Sequence, residues 1–152
     1  MTYLTKIKGV IRHGSSGSWI VNYPDGDSRV FYVKYYGSEL AAHKAACKWL
    51  AEKLTVVKQP IRLIQPTRDH STGHERITLT HEKSGRCRLE VSVFGADGKP
   101  KRVRIRVGDR TTWESRYRGK LKEAIKIRDE SFVREAERQL GLILKYIGSE
   151  EI

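Results

Sequence analysis

Five residues between positions 70 and 82 carry side chains able to ligate a metal: His70, His74 and His81 with Glu75 and Glu82. Their spacing follows no standard zinc pattern, and the simpler reading is histidines lining a basic loop. Cys47 and Cys87 lie far apart without a CxxC pair, as expected of ordinary buried thiols in a reduced compartment. Cys47 falls on an alanine-rich helical stripe and reads as a core residue rather than a nucleophile. These residues lead to an expectation of no enzyme activity, no metal and no cofactor. The chemistry that remains is electrostatic. Lys101-Arg102-Val103-Arg104-Ile105-Arg106-Val107 alternates strictly, so a β-strand there places Arg102, Arg104 and Arg106 on one face and Val103, Ile105 and Val107 on the other. Such a strand buries one side and offers three cations on the other, as a solvated face or as a surface for a polyanion.

Composition favours the polyanion. Thirty Lys and Arg against 18 Asp and Glu leave a net charge of +12 over 152 residues. Nucleic acid is a commoner partner than membrane for a compact basic chain. No apolar run approaches the roughly 20 residues needed to span a bilayer, and no apolar segment follows the first six residues as in a signal peptide. A cytoplasmic, nucleoid-associated location is therefore expected. At 38% hydrophobic residues the core must be modest.

The elements that must position the arginines come next. Residues 6–12 read as a short strand, 14–18 as a turn and 19–23 as a second strand. Pro24-Asp25-Gly26-Asp27 is a hairpin signal, and 30–36, rich in aromatic and β-branched residues, reads as a third strand. Ser38 caps a helix reaching about residue 54, with Ala42, Ala45, Ala46, Trp49 and Leu50 on one stripe. Residues 59–76, interrupted by Pro60 and Pro66, form a linker between a first module at 1–58 and a second at 77–152. The order then repeats: strands at 77–81, 87–94 and 101–107, and a helix from 119 to about 140. Ser16-Gly17 aligns with Ser84-Gly85 and Asp25-Gly26 with Asp97-Gly98, with offsets changing at turns, where insertions are tolerated.

The expected fold class is thus α+β: two tandem repeats, each a three-stranded antiparallel sheet packed on one helix. A single helix covers only one face of a sheet and leaves the other open. Ser18, Ile20, Asn22, Val30, Tyr32 and Lys34 are expected on the open face of the first sheet. Arg86, Arg88, Glu90, Ser92 and the three strand arginines are expected on that of the second. Lys6, Lys8 and Arg12 are expected near the first surface.

Gly9-Val10, Gly17-Ser18-Trp19, Phe31-Tyr32-Val33-Lys34-Tyr35-Tyr36-Gly37 and the alanine-rich helix 41–49 resemble the Apetala/ethylene-response-factor type of DNA-binding domain, in its phage and bacterial version. Ala124-Ile125-Lys126-Ile127-Arg128-Asp129-Glu130 is similar to the end of that domain's helix. The resemblance implies that the open sheet face enters the major groove while the helix braces the back. The set it implies comprises Lys6, Lys8, Arg12, Asn22, Arg29, Tyr32, Lys34, Lys83, Arg86, Arg88, Glu90, Arg102, Arg104 and Arg106. Arginine can pair with guanine O6 and N7, Asn22 with adenine, and Glu90 with a cytosine amino group. The lysines, Lys101 among them, suit phosphates. Ile20, Val30 and Tyr32 depart from the family, whose members usually place more charge on this face.

In phage proteins this domain often targets a homing endonuclease. An HNH site needs an asparagine beside paired histidines, and Asn22, far from the histidines, is the single asparagine here. Tyr146-Ile147-Gly148 matches half of a GIY-YIG signature without the rest. The leading expectation is a sequence-specific binder of double-stranded DNA that represses transcription by occupying its site. The alternatives are a DNA-targeting nuclease or its accessory subunit with an unrecognised metal site at 68–82, and an RNA-binding protein. The apolar segment 140–147 suits a homodimer contact, or packing of one module on the other.

Overall fold

A computed structural model of the chain describes residues 4–14, 17–61 and 71–148. Residues 62–70 of the expected linker, His70 among them, lie outside the described residues. The element order is β1 (Val10–His13), β2 (Ser18–Asn22), β3 (Ser28–Phe31), α1 (Val33–Tyr36), α2 (Glu39–Val57), β4 (Ile77–His81), β5 (Cys87–Phe94), β6 (Pro100–Gly108) and α3 (Trp113–Gly148). The fold is α+β, with two three-stranded antiparallel sheets ordered β1-β2-β3 and β4-β5-β6. Two compact units result: Met1–Ile64 with Ala136–Ile152, and Gln65–Glu135. The expected second module ran to residue 152, whereas residues 136–148 of α3 belong with the first sheet.

Both central hairpins use the same turn chemistry. The Tyr23 N–H donates to Asp27 O at 2.8 Å and the Gly26 N–H to Tyr23 O at 3.0 Å, while Asp25 Oδ1 accepts from the Asp27 N–H at 2.8 Å. The Gly95 N–H donates to Lys99 O at 2.7 Å and the Gly98 N–H to Gly95 O at 2.9 Å, and Asp97 Oδ1 accepts from the Lys99 N–H at 3.0 Å. Gly26 and Gly98 sit at φ 91° and 80°, a conformation glycine adopts without Cβ strain. The aspartate carboxylate stands in for a backbone turn partner.

In the first unit α2 buries Ala42, Ala46, Cys47, Leu50 and Leu54 against Trp19, Val21 and Phe31. Ser38 Oγ caps the helix by accepting from the Ala41 N–H at 3.1 Å. The end of α3 completes this core with Ala136, Ile143 and Tyr146. A buried polar network, invisible to hydrophobic pattern reading, ties these parts together. The Ile61 N–H donates to Gln139 Oε1 at 2.8 Å and Gln139 Nε2 donates to Ile61 O at 2.9 Å. His43 Nδ1 lies 2.7 Å from the Tyr146 hydroxyl, and Lys44 Nζ donates to Tyr146 O and Ile147 O at 3.3 and 3.2 Å. A cation on the last carbonyls suits the negative end of a helix. The second unit buries Ile77, Leu89, Val91 and Val107 against Ala124 of α3, with Leu121, Ile125 and Trp113 packed beside them.

Three element expectations are corrected. The third strand stops at Phe31, and residues 33–36 form a helical turn instead of continuing to Tyr36. Gly37, at φ 84°, donates to Val33 O at 3.0 Å and reverses the chain so that Ser38 can cap α2. Strand propensity of the tyrosine-rich run yields to that connection. The first strand starts at Val10 rather than residue 6. Helix α3 begins at Trp113, not 119, because Asp109 Oδ1 accepts from the Thr111 and Thr112 N–H groups at 2.9 and 3.0 Å. The Thr111 hydroxyl above all, with these amides, holds the Asp109 carboxyl down to about 2.

Candidate nucleic-acid interface

Register decides which side chains share a face, because directly opposed residues point the same way. In the second sheet the outer face consists of three rows: Thr80, Arg88 and Arg106; Thr78, Glu90 and Arg104; and Ser92 with Arg102. The opposite face holds Ile77, Leu89, Val91, Val103 and Ile105, the side on which α3 packs. Alternation in 101–107 and 87–94 therefore predicts the observed faces of β5 and β6.

Arg88 opposite Arg106 places two like charges side by side, which is unfavourable without a counterion. Two carboxylates supply it. Glu82 pairs with Arg88 Nη1, and Glu90 lies 3.2 Å from Arg88 Nη2, 3.6 Å from Arg104 Nε and 3.8 Å from Arg102 Nη1. Arg102 and Arg104 thus lie on the expected face but beside a carboxylate. Their side chains nevertheless remain 70% and 62% exposed, and exposed pairs of this length contribute about 0–1 kcal/mol. One carboxylate serves three guanidinium groups, so the face keeps an excess of positive charge. Arg106 is exposed and, among the described residues, makes no ion pair. Lys83 and Arg86 are exposed in the β4–β5 turn, where the Glu82 N–H donates to Arg86 O at 2.8 Å.

The outer face of the first sheet is different. Ile11, Ile20 and Val30 are directly opposed across the three strands, with Asn22 opposite Ser28 at one end and His13 at the other. Ser18, expected outward and accessible, is buried.

Most of the first sheet's expected cations lie elsewhere. Arg12 opposes Trp19 and Arg29 opposes Val21, which puts both on the side facing α2. Arg12 Nη1 pairs with Glu39 at 2.7 Å and its guanidinium lies 5.7 Å from the Trp19 ring, while Arg29 lies 5.3 Å from the Phe31 ring. Tyr32 and Lys34 follow the strand: Tyr32 precedes α1 and Lys34 is within it, 5.1 Å from the Tyr35 ring. Lys6 and Lys8 precede β1 and line a shallow depression with Arg138, Gln139 and Leu142. The structure thus brings together Arg88, Glu90, Arg102, Arg104 and Arg106 and leaves Asn22 on a separate, uncharged face. Thr78 and Thr80 share the arginine surface unanticipated, although the alternation of Ile77-Thr78-Leu79-Thr80 already phases them.

The histidine and cysteine positions have packing roles. His81 Nδ1 lies 2.9 Å from Cys87 Sγ and the His81 ring stacks edge-on against Trp113 at 4.9 Å. Glu75 lies 3.7 Å from Arg76, and Glu82 is taken by Arg88. Among the described residues no group of three or more His, Cys, Asp and Glu side chains is arranged to hold a metal. Burial pushes the Cys47 thiol up to about 12, against the smaller opposing pull of Lys44. Among the described residues no helix is long and apolar enough to cross a membrane. No protein-family model matches this chain, and no curated protein or solved structure is similar to it.

Proposed function

We propose that this chain binds double-stranded DNA in a sequence-specific manner and represses transcription by occupying its site. The observation that carries the reading is the outer face of the second sheet, where Arg88, Arg102 and Arg104 lie against the carboxylate of Glu90 and Arg106 stands beside Arg88. A major groove about 12 Å wide accepts a β-structure, and arginine matches guanine O6 and N7 in bidentate fashion. Glu90 has a second use in this setting: it holds neighbouring guanidinium groups in place and can accept from a cytosine amino group.

The two sheets are read as tandem, diverged modules of the Apetala type, derived from the targeting part of a homing endonuclease without its nuclease. Matching hydrogen bonds in the hairpins around Gly26 and Gly98 support a duplication. A homodimer through the C-terminal segment belongs to the same proposal. Ile143 and Tyr146 are spent on the first core, and of the exposed leucines Leu142 and Leu144, two positions apart and therefore on different sides of α3, one at a time would contribute to such a contact. Light scattering of the purified chain tests that part; a strict monomer on DNA removes it. The proposed location is the nucleoid of a cell's cytoplasm.

The central test is binding of fluorescent duplexes across a salt series. Contact with about eight phosphates gives a slope of log affinity against log salt near −7. A slope near zero would overturn the reading. Preference for duplex RNA over duplex DNA of the same sequence would replace DNA with RNA as the ligand. Cleavage of plasmid in the presence of magnesium or manganese, lost in His74→Ala, would make the chain a nuclease.

A further inference from the structure

The outer face of the first sheet lacks the feature that supports the second. Its centre is the row Ile11, Ile20 and Val30, one residue from each strand, with Ile11 55% exposed. Among the described residues of this face no carboxylate occurs: Glu39 is paired with Arg12 on the helix side, and Asp25 and Asp27 are held by Lys53 at 3.3 and 2.5 Å. Three side chains in a single row are far too few for a stable protein contact, which takes about 800 Å² from each partner. Their spacing suits another surface. Strands lie about 4.8 Å apart, so the row spans about 10 Å, within a major groove about 12 Å wide.

What an aliphatic side chain can read in that groove is the C5 methyl of thymine, the one apolar group presented there. Asn22 lies two residues along β2 from Ile20, exposed and on the same face, opposite Ser28. An asparagine amide pairs bidentately with adenine N6 and N7. A methyl-reading row beside an adenine-reading amide describes one kind of step, a run of A·T pairs. We infer that the first sheet determines specificity for thymine methyls through Ile11, Ile20 and Val30, while the second sheet reads G·C pairs. This rests on the DNA-binding reading and divides its target into two unlike halves.

The test uses the full chain and a duplex that it selects from a random pool. Each thymine is replaced in turn by deoxyuridine, which deletes the C5 methyl and leaves the Watson–Crick edge intact. Removing one buried methyl contact weakens binding about three- to fourfold. Losses of that size are expected at one to three thymines for the native chain and Arg104→Ala, and in Ile20→Ala the loss disappears at the thymine that Ile20 reads while those read by Ile11 or Val30 persist. A selected site without A·T pairs, deoxyuridine without effect, or an equal effect in Ile20→Ala overturns the inference while duplex binding stands. Absence of any salt-dependent duplex binding overturns the parent reading as well.

Discussion

The two sheets share strand order and hairpin chemistry but present opposite outer faces. On the first, opposed positions are Ile11, Ile20 and Val30; on the second, the central rows are Thr78, Glu90, Arg104 and Thr80, Arg88, Arg106. The first sheet is not short of cations. Arg12 and Arg29 are simply on its other side, where their guanidinium groups lie over the Trp19 and Phe31 rings. Charge within a strand is therefore uninformative until the phase is known: a shift of one residue exchanges a packing arginine for a binding one.

The contrast can be broken first at what the sheets have in common. Leu50→Ala in the first core and Leu89→Ala in the second should each cost about 2–5 kcal/mol in urea unfolding, since both side chains are fully buried. A loss below about 1 kcal/mol at either would show that this half lacks a sealed core. The next effect separates the faces. Arg104→Ala should weaken binding to a selected duplex by about 1–3 kcal/mol where a base contact is lost. Glu90→Gln should act in the opposite direction on random duplexes, tightening them and steepening the salt dependence, because it leaves Arg102 and Arg104 without a counterion while Arg88 keeps Glu82. Weaker binding of random duplexes by Glu90→Gln would mean that the carboxylate's positioning role outweighs its charge.

A pH effect confined to the first unit follows from His43. Burial lowers its pKa below the ordinary value of about 6.5, with Glu39 opposing in a smaller measure. The folded chain therefore favours the neutral ring, while the unfolded chain takes up a proton at higher pH. The stability from this site is complete above about pH 6.5 and is lost as pH falls below that value. The melting temperature should drop between pH 7 and 5, and the drop should shrink in His43→Gln. An unchanged pH profile in that variant would assign the loss to other groups. The smallest effect is expected from Arg12→Ala. Its pair with Glu39 is about half exposed, so stability should change by less than about 1 kcal/mol, and duplex affinity no more than about twofold. A loss as large as that of Arg104→Ala would put Arg12 on the binding face after all.

Much of the second face is legible in the sequence. Alternation in β5 and β6 runs over eight and nine residues, long enough for the period of two to be unmistakable. The first sheet has strands of four and five residues, too short to phase the ends, and there the reading strayed. The β propensity of its tyrosine neighbours predicts a strand at Lys34, yet it lies in a helical turn set by Gly37 and Ser38. The cap at Ser38 is legible because hydroxyl-to-amide capping is local, and Asp109-Arg110-Thr111-Thr112 carries the same kind of local signal ahead of α3. The buried partners of Gln139 and His43 had no sequence signal at all, since their contacts span 78 and 103 positions.

Interactions that close within a few residues were determined by the sequence by itself: the turn glycines, the helix cap at Ser38, the alternation that sorts Val103 and Ile105 from Arg102 and Arg104, and the excess of positive charge. Tertiary structure decided that the end of α3 joins the first core, that Glu90 sits among three arginines, and that Arg12 and Arg29, though exposed, lie on the α2 side of their sheet. The reason is range. A hydrogen bond between near neighbours is specified by the residues that make it, whereas a side chain's environment across a sheet depends on register and on whatever distant segment packs there.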